Sequence, residues 1–327
     1  MQLQRIQSTQ RIRNNSVRRC MIISLSILCS LLIISTFITL FVIYFIRYRT
    51  TLSSLLSYPN FVCHQRPCGC PNSDSVVSFI PKIVGGQDAS PYIYPWLVTL
   101  TDRDRTNPFC TGFIISSNTI LTAAHCLNNR NFYQLQILAK IHDFREFQGD
   151  RYDIEQWIIH PEYRMNDSMH LNDIALIKIQ KSFSKDLHPC CLPSIKSNVY
   201  PQAKTEAIVS GWGKVLAKPN SRNSPVLQHV VMPIVDYKNL KCQQSIADTN
   251  RQICAGYDNL SIDACSGDSG APLLIVVHDD NNNNEGYFVA AGIVSYGNRQ
   301  CDASISSGVY TRISFYLDWI HETLTYL

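Results

Sequence analysis

Ser269 stands in Cys265-Ser266-Gly267-Asp268-Ser269-Gly270, where glycines surround a hydroxyl and an acid precedes it. A serine hydroxyl is a poor nucleophile until a neutral imidazole takes its proton, and that imidazole needs a carboxylate to fix its tautomer. Both partners are present. His125 lies among small apolar residues in Leu121-Thr122-Ala123-Ala124-His125-Cys126, and Asp173 opens the apolar run Asn172-Asp173-Ile174-Ala175-Leu176. Gly267 and Gly270 permit a tight turn that brings the N–H groups of Gly267 and Ser269 up to a substrate oxyanion. Singly, these groups say little. Gly/Ser/Asp clusters are usually plain turns, and any one of the chain's nine histidines is more often a surface or packing residue. Together they point to nucleophilic catalysis by a serine whose attack develops an oxyanion, with His125, Asp173 and Ser269 as the catalytic residues.

Their order in the chain separates two architectures. An α/β-hydrolase runs Ser, Asp, His and carries G-x-S-x-G, which Gly267-Asp268-Ser269-Gly270 does not match. In motif and order, residues 83–327 resemble the trypsin-like (chymotrypsin-family) serine proteases. With the N-terminal segment described below, the chain resembles their type II transmembrane members. The resemblance implies an all-β fold of two six-stranded antiparallel β-barrels with the site between them, a C-terminal helix, and one transmembrane helix in front. It also implies a zymogen. Lys82 before Ile83-Val84-Gly85-Gly86 matches the activation junction, and the freed ammonium of Ile83 would pair with Asp268 and organise the Gly267–Ser269 turn. The implied bridges are Cys110–Cys126, Cys242–Cys254 and Cys265–Cys301. Another family bridge falls on Ala207 and Ile275, so it is absent as a unit. Cys191 in Cys191-Leu192-Pro193 would join Cys63, Cys68 or Cys70. With Cys190 these make an odd set, which leaves one thiol free, capped or bonded to another chain.

The same resemblance places Asp263 at the floor of a specificity pocket, Gly297 and Gly308 on its walls, and Ser295 and Tyr296 along the substrate backbone. A buried carboxylate without a partner is costly, so a cationic substrate side chain is selected and cleavage should follow Arg or Lys. Ala264 replaces the serine of trypsin itself, which removes an acceptor that an ammonium needs more than a bidentate guanidinium does. Arg is therefore expected over Lys. Asn298-Arg299-Gln300 departs from the usual glycine at the pocket rim. His170, three residues before Asp173, is either a neighbouring-subsite residue or a surface histidine.

Short apolar runs split by turns must carry these groups: Phe113–Ile115, Leu135–Ile141, Ile174–Ile179, Ala207–Val209, Leu273–Val277 and Tyr287–Val294 read as strands. Asp279–Glu285 reads as a polar loop. Ile313, Leu317, Ile320 and Leu324 recur at helical spacing.

Ahead of this body, residues 1–20 read as a cytoplasmic tail, 21–46 as a transmembrane signal anchor, and 47–82 as a stem with the activation segment. The 26 residues 21–46 hold no charge, more than a bilayer requires. Five arginines precede them and two follow closely, so the positive-inside rule keeps the N-terminus in the cytosol. The expected location is the cell membrane, single-pass type II, with the protease part outside or shed.

Residues 1–49 carry seven arginines without an acid. That leaves 22 Lys+Arg against 25 Asp+Glu in the remainder, which excludes a basic nucleic-acid binder. Asn166 and Asn259 lie in glycosylation sequons. Lys140-Ile141-His142-Asp143 lacks the acid of a calcium loop, so no metal and no cofactor is expected. Expected partners are proteins or peptides with Arg or Lys before the cut, an activating protease, and protein inhibitors. The alternatives are a catalytically silent protease-like binding module, which the intact trio argues against, and a soluble secreted trypsin.

Overall fold

The computed structural model describes residues 32–44, 61–63, 66–71, 76–77, 87–103, 108–146, 149–166, 169–194, 201–214, 223–257, 267–279, 282–297 and 307–327. Asp263, Ala264, Cys265, Cys301, Lys82, Ile83 and Asn259, each named above for a role, lie outside these residues. Two units form, Met1–Ser57 and Tyr58–Leu327. In the first, residues 32–44 are helical. Thr36 and Thr39 turn their hydroxyls back onto the carbonyls of Ile33 and Ser35 at 2.7 and 2.6 Å. Among the described residues no helix is long and apolar enough to cross a membrane. The rest of the expected span, residues 21–31 and 45–46, falls outside them.

The second unit opens with three two-residue strands, β1 (Phe61–Val62), β2 (Val76–Val77) and β3 (Gln87–Asp88). Next come β4 (Leu97–Asp102), β5 (Pro108–Ile114), β6 (Thr119–Thr122), β7 (Leu135–Ala139), β8 (Asp150–Tyr152), β9 (Ile154–Ile159), the hairpin β10 (Arg164–Asn166) and β11 (Met169–Leu171), and β12 (Ala175–Ile179). The hairpin stands apart, and the others pair in the order β8-β7-β4-β5-β6-β12-β9. Only Asp153 separates β8 from β9. One segment therefore turns a corner and serves both ends of the sheet, which makes a closed barrel of six.

The second barrel uses β13 (Glu206–Gly211), β14 (Gln228–Val235), β15 (Gln252–Ala255), β16 (Pro272–Asp279), β17 (Asn282–Tyr296) and β18 (Gly308–Arg312). They pair as β16-β13-β14-β15-β18-β17, and β16 with β17 closes the ring. Each of the six apolar runs read from the sequence overlaps a strand of these barrels, with Ile115, Lys140, Ile141 and Ile174 falling just outside. β17 starts inside the segment expected to be a loop, and the ladder runs on until Asp279 faces Asn282. Tertiary pairing overrides the low strand preference of asparagine there.

Trp96, Leu100, Phe113 and Ile137 fill one core, and Val209, Met232, Leu273 and Tyr310 the other. Ala207 is 0 % and Ile275 3 % exposed. The register Ile208↔Leu274 puts them opposite each other, so two buried apolar side chains face each other at the positions where the resemblance implied a missing bridge. Near the C-terminus, Ile313–Tyr316 form a 3-10 turn before α-helix Leu317–Leu324, which buries Leu317 and Ile320. A short helix, Leu240–Ser245, had no expectation from the sequence. Asn239 caps it by accepting the Lys241 N–H at 2.9 Å.

Part of the segment expected to be a stem is built into this body. β1 runs parallel to β17 and antiparallel to β2. Phe61, 1 % exposed, meets Phe288 edge-on with ring centroids 5.2 Å apart. Burying such a ring contributes about 1.5–3 kcal/mol. The Gly69 N–H donates to the Pro189 carbonyl and the Phe288 N–H to the Gly69 carbonyl, each at 2.9 Å. Bridges join Cys68 to Cys191, Cys63 to Cys70, Cys110 to Cys126 and Cys242 to Cys254. Cys190 is a buried free thiol whose pKa burial pushes well up.

Candidate active site

His125 sits on the 3-10 turn Ala124–Cys126 just after β6, and Cys126 is bridged to Cys110 on β5. The His125 main-chain N–H donates to Asp173 Oδ1 at 2.8 Å, and its Nδ1 lies 2.7 Å from Asp173 Oδ2. Asp173, 0 % exposed, lies between β11 and β12. Ser295 Oγ donates to Asp173 Oδ2 at 2.5 Å, and Thr311 Oγ1 donates to the Asp173 carbonyl at 2.9 Å. Ser295 reaches inward because the β17–β18 register slips between Val294 and Tyr296, and a bulge re-aims a side chain in this way.

Burial alone would raise the Asp173 pKa, but the facing imidazole and these hydrogen bonds prevail and hold it below the ordinary carboxylate value. Burial likewise pulls His125 down, yet the Asp173 carboxylate wins and holds its pKa above 6.5.

The Ser269 turn is pinned from both barrels. The Ser269 carbonyl accepts from the Thr111 N–H at 2.8 Å, and the Gly267 carbonyl from Thr111 Oγ1 at 3.0 Å. Thr122 Oγ1 donates to the Thr111 carbonyl at 2.8 Å, and the Gly270 N–H donates to the Val294 carbonyl at 2.9 Å. Gly270 has φ +85°, and a Cβ there would fall 2.2 Å from the Thr111 oxygen. Cys126 Sγ lies 3.7 Å from both His125 Nε2 and the Ser269 carbonyl. One sulfur thus touches the free imidazole nitrogen and the serine residue. Asp268 Oδ1 accepts the Gly213 N–H at 2.8 Å, and a Cβ on Gly213 would fall 2.4 Å from Oδ2.

An aromatic wall flanks His125. The His170 ring lies 5.0 Å from it and 5.6 Å from Tyr296, and His170 Nδ1 is 2.9 Å from the Tyr163 hydroxyl. Gln252 Nε2 donates to the His170 carbonyl at 2.8 Å and to Tyr296 Oη at 3.0 Å. Burial lowers the His170 pKa and pushes that of Tyr296 up to about 12. Gly297 is exposed just past β17, and Gly308 is buried opposite Ala255. Asn166 is exposed at the end of β10.

His125, His170 and Asp173 place possible ligand atoms within 4.8 Å of one another. Both Asp173 oxygens and both Nδ1 atoms are already hydrogen-bonded, Asp173 to His125 and Ser295 and His170 to Tyr163, so those four atoms are committed within the protein.

The family model described as Trypsin matches residues 83–320. The chain belongs to the trypsin family. It is 32% identical over 278 residues to chymotrypsin-C of Bos taurus, which spans 82% of this chain and 97% of that one. A venom protease of Bombus pensylvanicus is 35% identical over 251 residues, 72% of this chain and 96% of its own. The clotting factor G beta subunit of Tachypleus tridentatus is 31% identical over 259 residues, 74% and 80% of the two chains. The solved structure of neuropsin, a serine protease expressed in the limbic system of mouse brain, matches with a TM-score of 0.61 at 28% identity, covering 74% of this chain and all 100% of that one.

Several groups that hold this trypsin-family site escaped the sequence reading. Thr111 and Thr311 carry no motif, and Thr122, although inside the His125 motif, was given no role; their one sequence signal is a hydroxyl beside apolar residues. Because Asp173 favours the charged imidazole, His125 becomes predominantly neutral only above its raised pKa, and neutral imidazole is the form that can accept a proton. Turnover should therefore rise with pH along a limb centred above 6.5. A kcat/KM profile centred below that value contradicts the His125–Asp173 pairing.

Proposed function

We propose that this chain is a serine endopeptidase made as a zymogen and cleaving after Arg or Lys, with Arg preferred. The observation that carries the reading is the double clasp of Asp173 on His125, at 2.8 and 2.7 Å, beside the Ser269 turn pinned at 2.8 Å to Thr111. Ser269 Oγ attacks the peptide carbonyl while His125 Nε2 takes its proton. Asp173 holds the imidazole in the right tautomer and stabilises its charged form. The N–H groups of Gly267 and Ser269 hold the oxyanion. His125 then protonates the leaving amine, and water releases the acyl group from Ser269.

Asp263 is the acid that receives the substrate cation, with Ala264 beside it and Gly297 and Gly308 leaving room for a long side chain. Ser295 and Tyr296 run along the substrate backbone. A cut between Lys82 and Ile83 activates the chain, and the new ammonium pairs with Asp268. Since Arg is preferred, cleavage at Lys82 falls to another protease. Residues 21–46 anchor the chain as a type II membrane protein with the protease outside the cell. Asn166 and Asn259 are its glycosylation sites, and Cys265–Cys301 completes the bridges near the pocket.

One preparation tests the reading. N-terminal sequencing of the active form should give a chain beginning at Ile83, and matched peptides should turn over faster with Arg than with Lys before the cut. Activity without that new terminus removes the zymogen, and equal or better turnover on Lys removes the Arg preference.

A further inference from the structure

Asn172 precedes the acid of the trio and has φ +54°, in the left-handed region that asparagine enters more readily than most residues. It is 3 % exposed. Three remote segments converge on its amide. Oδ1 accepts from Tyr316 Oη at 2.9 Å and from Arg251 Nη1 at 3.0 Å, and Nδ2 donates to the Glu162 carbonyl at 2.8 Å. Its own carbonyl accepts the Ile174 N–H at 2.9 Å, which closes a three-residue turn around Asp173. Arg251 comes from the second barrel, just before β15. Asp248 at 3.3 Å and Glu162 at 3.8 Å steer its guanidinium, which lies 5.2 Å over the Phe315 ring.

We infer that Asn172, clamped by Arg251 and Tyr316, is a positioning residue that fixes the turn aiming Asp173 at His125. The clamp ties that aim to the second barrel, which also supplies Ser295 and Thr311. An amide suits the post better than its neighbours in chemistry. Its oxygen has lone pairs for two donors while its nitrogen donates to a third group. Glycine would accept the backbone angle and offer none of these contacts. Aspartate would keep the two acceptor bonds and lose the donor to Glu162. Alanine would lose all three and resist the angle.

Asp173 and His170 are the titratable groups facing His125, besides the Ser269 turn with Asp268. His170 is held in turn by Tyr163. A small rotation of the Asn172–Ile174 turn therefore changes chiefly the Asp173 contact. The kinetic part of this inference rests on the protease reading, whereas the ionisation part does not.

The test uses the full chain, cut between Lys82 and Ile83 by an added protease, with Asn172→Gly, Arg251→Ala, Arg251→Lys and Tyr316→Phe. The His125 ring is titrated by NMR, and kcat and KM are measured on a small arginyl substrate. Asn172→Gly and Arg251→Ala should lower kcat about 10- to 100-fold at unchanged KM, as misplaced catalytic groups do. Both should move the His125 midpoint down toward 6.5. Arg251→Lys should recover part of each effect. Should Arg251→Ala fail to fold, Tyr316→Phe, which deletes one hydroxyl, should shift the midpoint the same way by less. An unmoved His125 midpoint and unmoved kcat in folded variants overturn the inference. If the unaltered chain, once cut between Lys82 and Ile83, turns over no substrate, the protease reading fails, and the His125 titration still decides this one.

Discussion

Ser269→Ala should abolish labelling by serine-directed phosphonates and lower kcat about 10⁶-fold, the scale on which a lost nucleophile acts in serine proteases. The fold should survive. Ser269 is tied into its turn through its carbonyl, which accepts from Thr111, and the Gly267 and Gly270 contacts are likewise main-chain. The variant should therefore melt within a few degrees of the parent while losing turnover. The residual rate over water, about 10³–10⁴-fold, would come from the oxyanion N–H groups and from binding. Persistent phosphonate labelling of the alanine variant would refute the assignment. A collapse of thermal stability would instead move Ser269 among the structural residues.

Asp173→Asn should cost about 10⁴ in kcat at neutral pH, the size seen when a protease of this type loses its orienting acid in the same way. The cause is local. Asp173 Oδ2 accepts from His125 Nδ1 and from Ser295 Oγ. An amide that turns its NH₂ toward Nδ1 makes that nitrogen an acceptor and puts the ring proton on Nε2. An imidazole in that tautomer cannot take the Ser269 proton. The substitution also removes the charge that holds the His125 pKa up, so the histidine should titrate at a lower pH than in the parent. Substrate binding should change little, because Asp173 is buried beneath the ring. Parent-like kcat with a shifted titration would separate electrostatics from catalysis and reject the role given to Asp173.

The pairing of His125 with Asp173 and the tight turn at Ser269 were legible in the sequence because each residue sits in a short local motif whose residue types suit the proposed job. His125 needs small neighbours, and the turn at Ser269 needs glycine. The barrels were legible as apolar runs of strand length. The supports were not. Thr111 and Ser269 stand 158 positions apart, yet their main chains meet at 2.8 Å, and no local pattern announces such a contact. Ser295 could be read as a substrate contact, but its hydrogen bond to Asp173 depends on a bulge that only the β17–β18 register creates. The packing of Phe61–Val62 was hidden for another reason. A strand of two residues, Phe61–Val62, has no period to detect, so its burial follows from the partner surface on β17 and Phe288. The first barrel's corner at Asp153 was equally silent, since a bent strand and two short ones look alike in sequence.

The Phe61–Cys70 strap gives the molecule an odd mechanical property. A cut in the segment between Val77 and Gln87 would open the covalent chain without separating its pieces. The upstream piece would still be wired to the barrel by Cys68–Cys191, threaded into the sheet edge through β1, and plugged into the core by Phe61. Reducing agent alone would cut only the first of these three moorings. The upstream peptide thus behaves as a second subunit of the same body, and anything attached to it travels with the barrels after the chain is nicked.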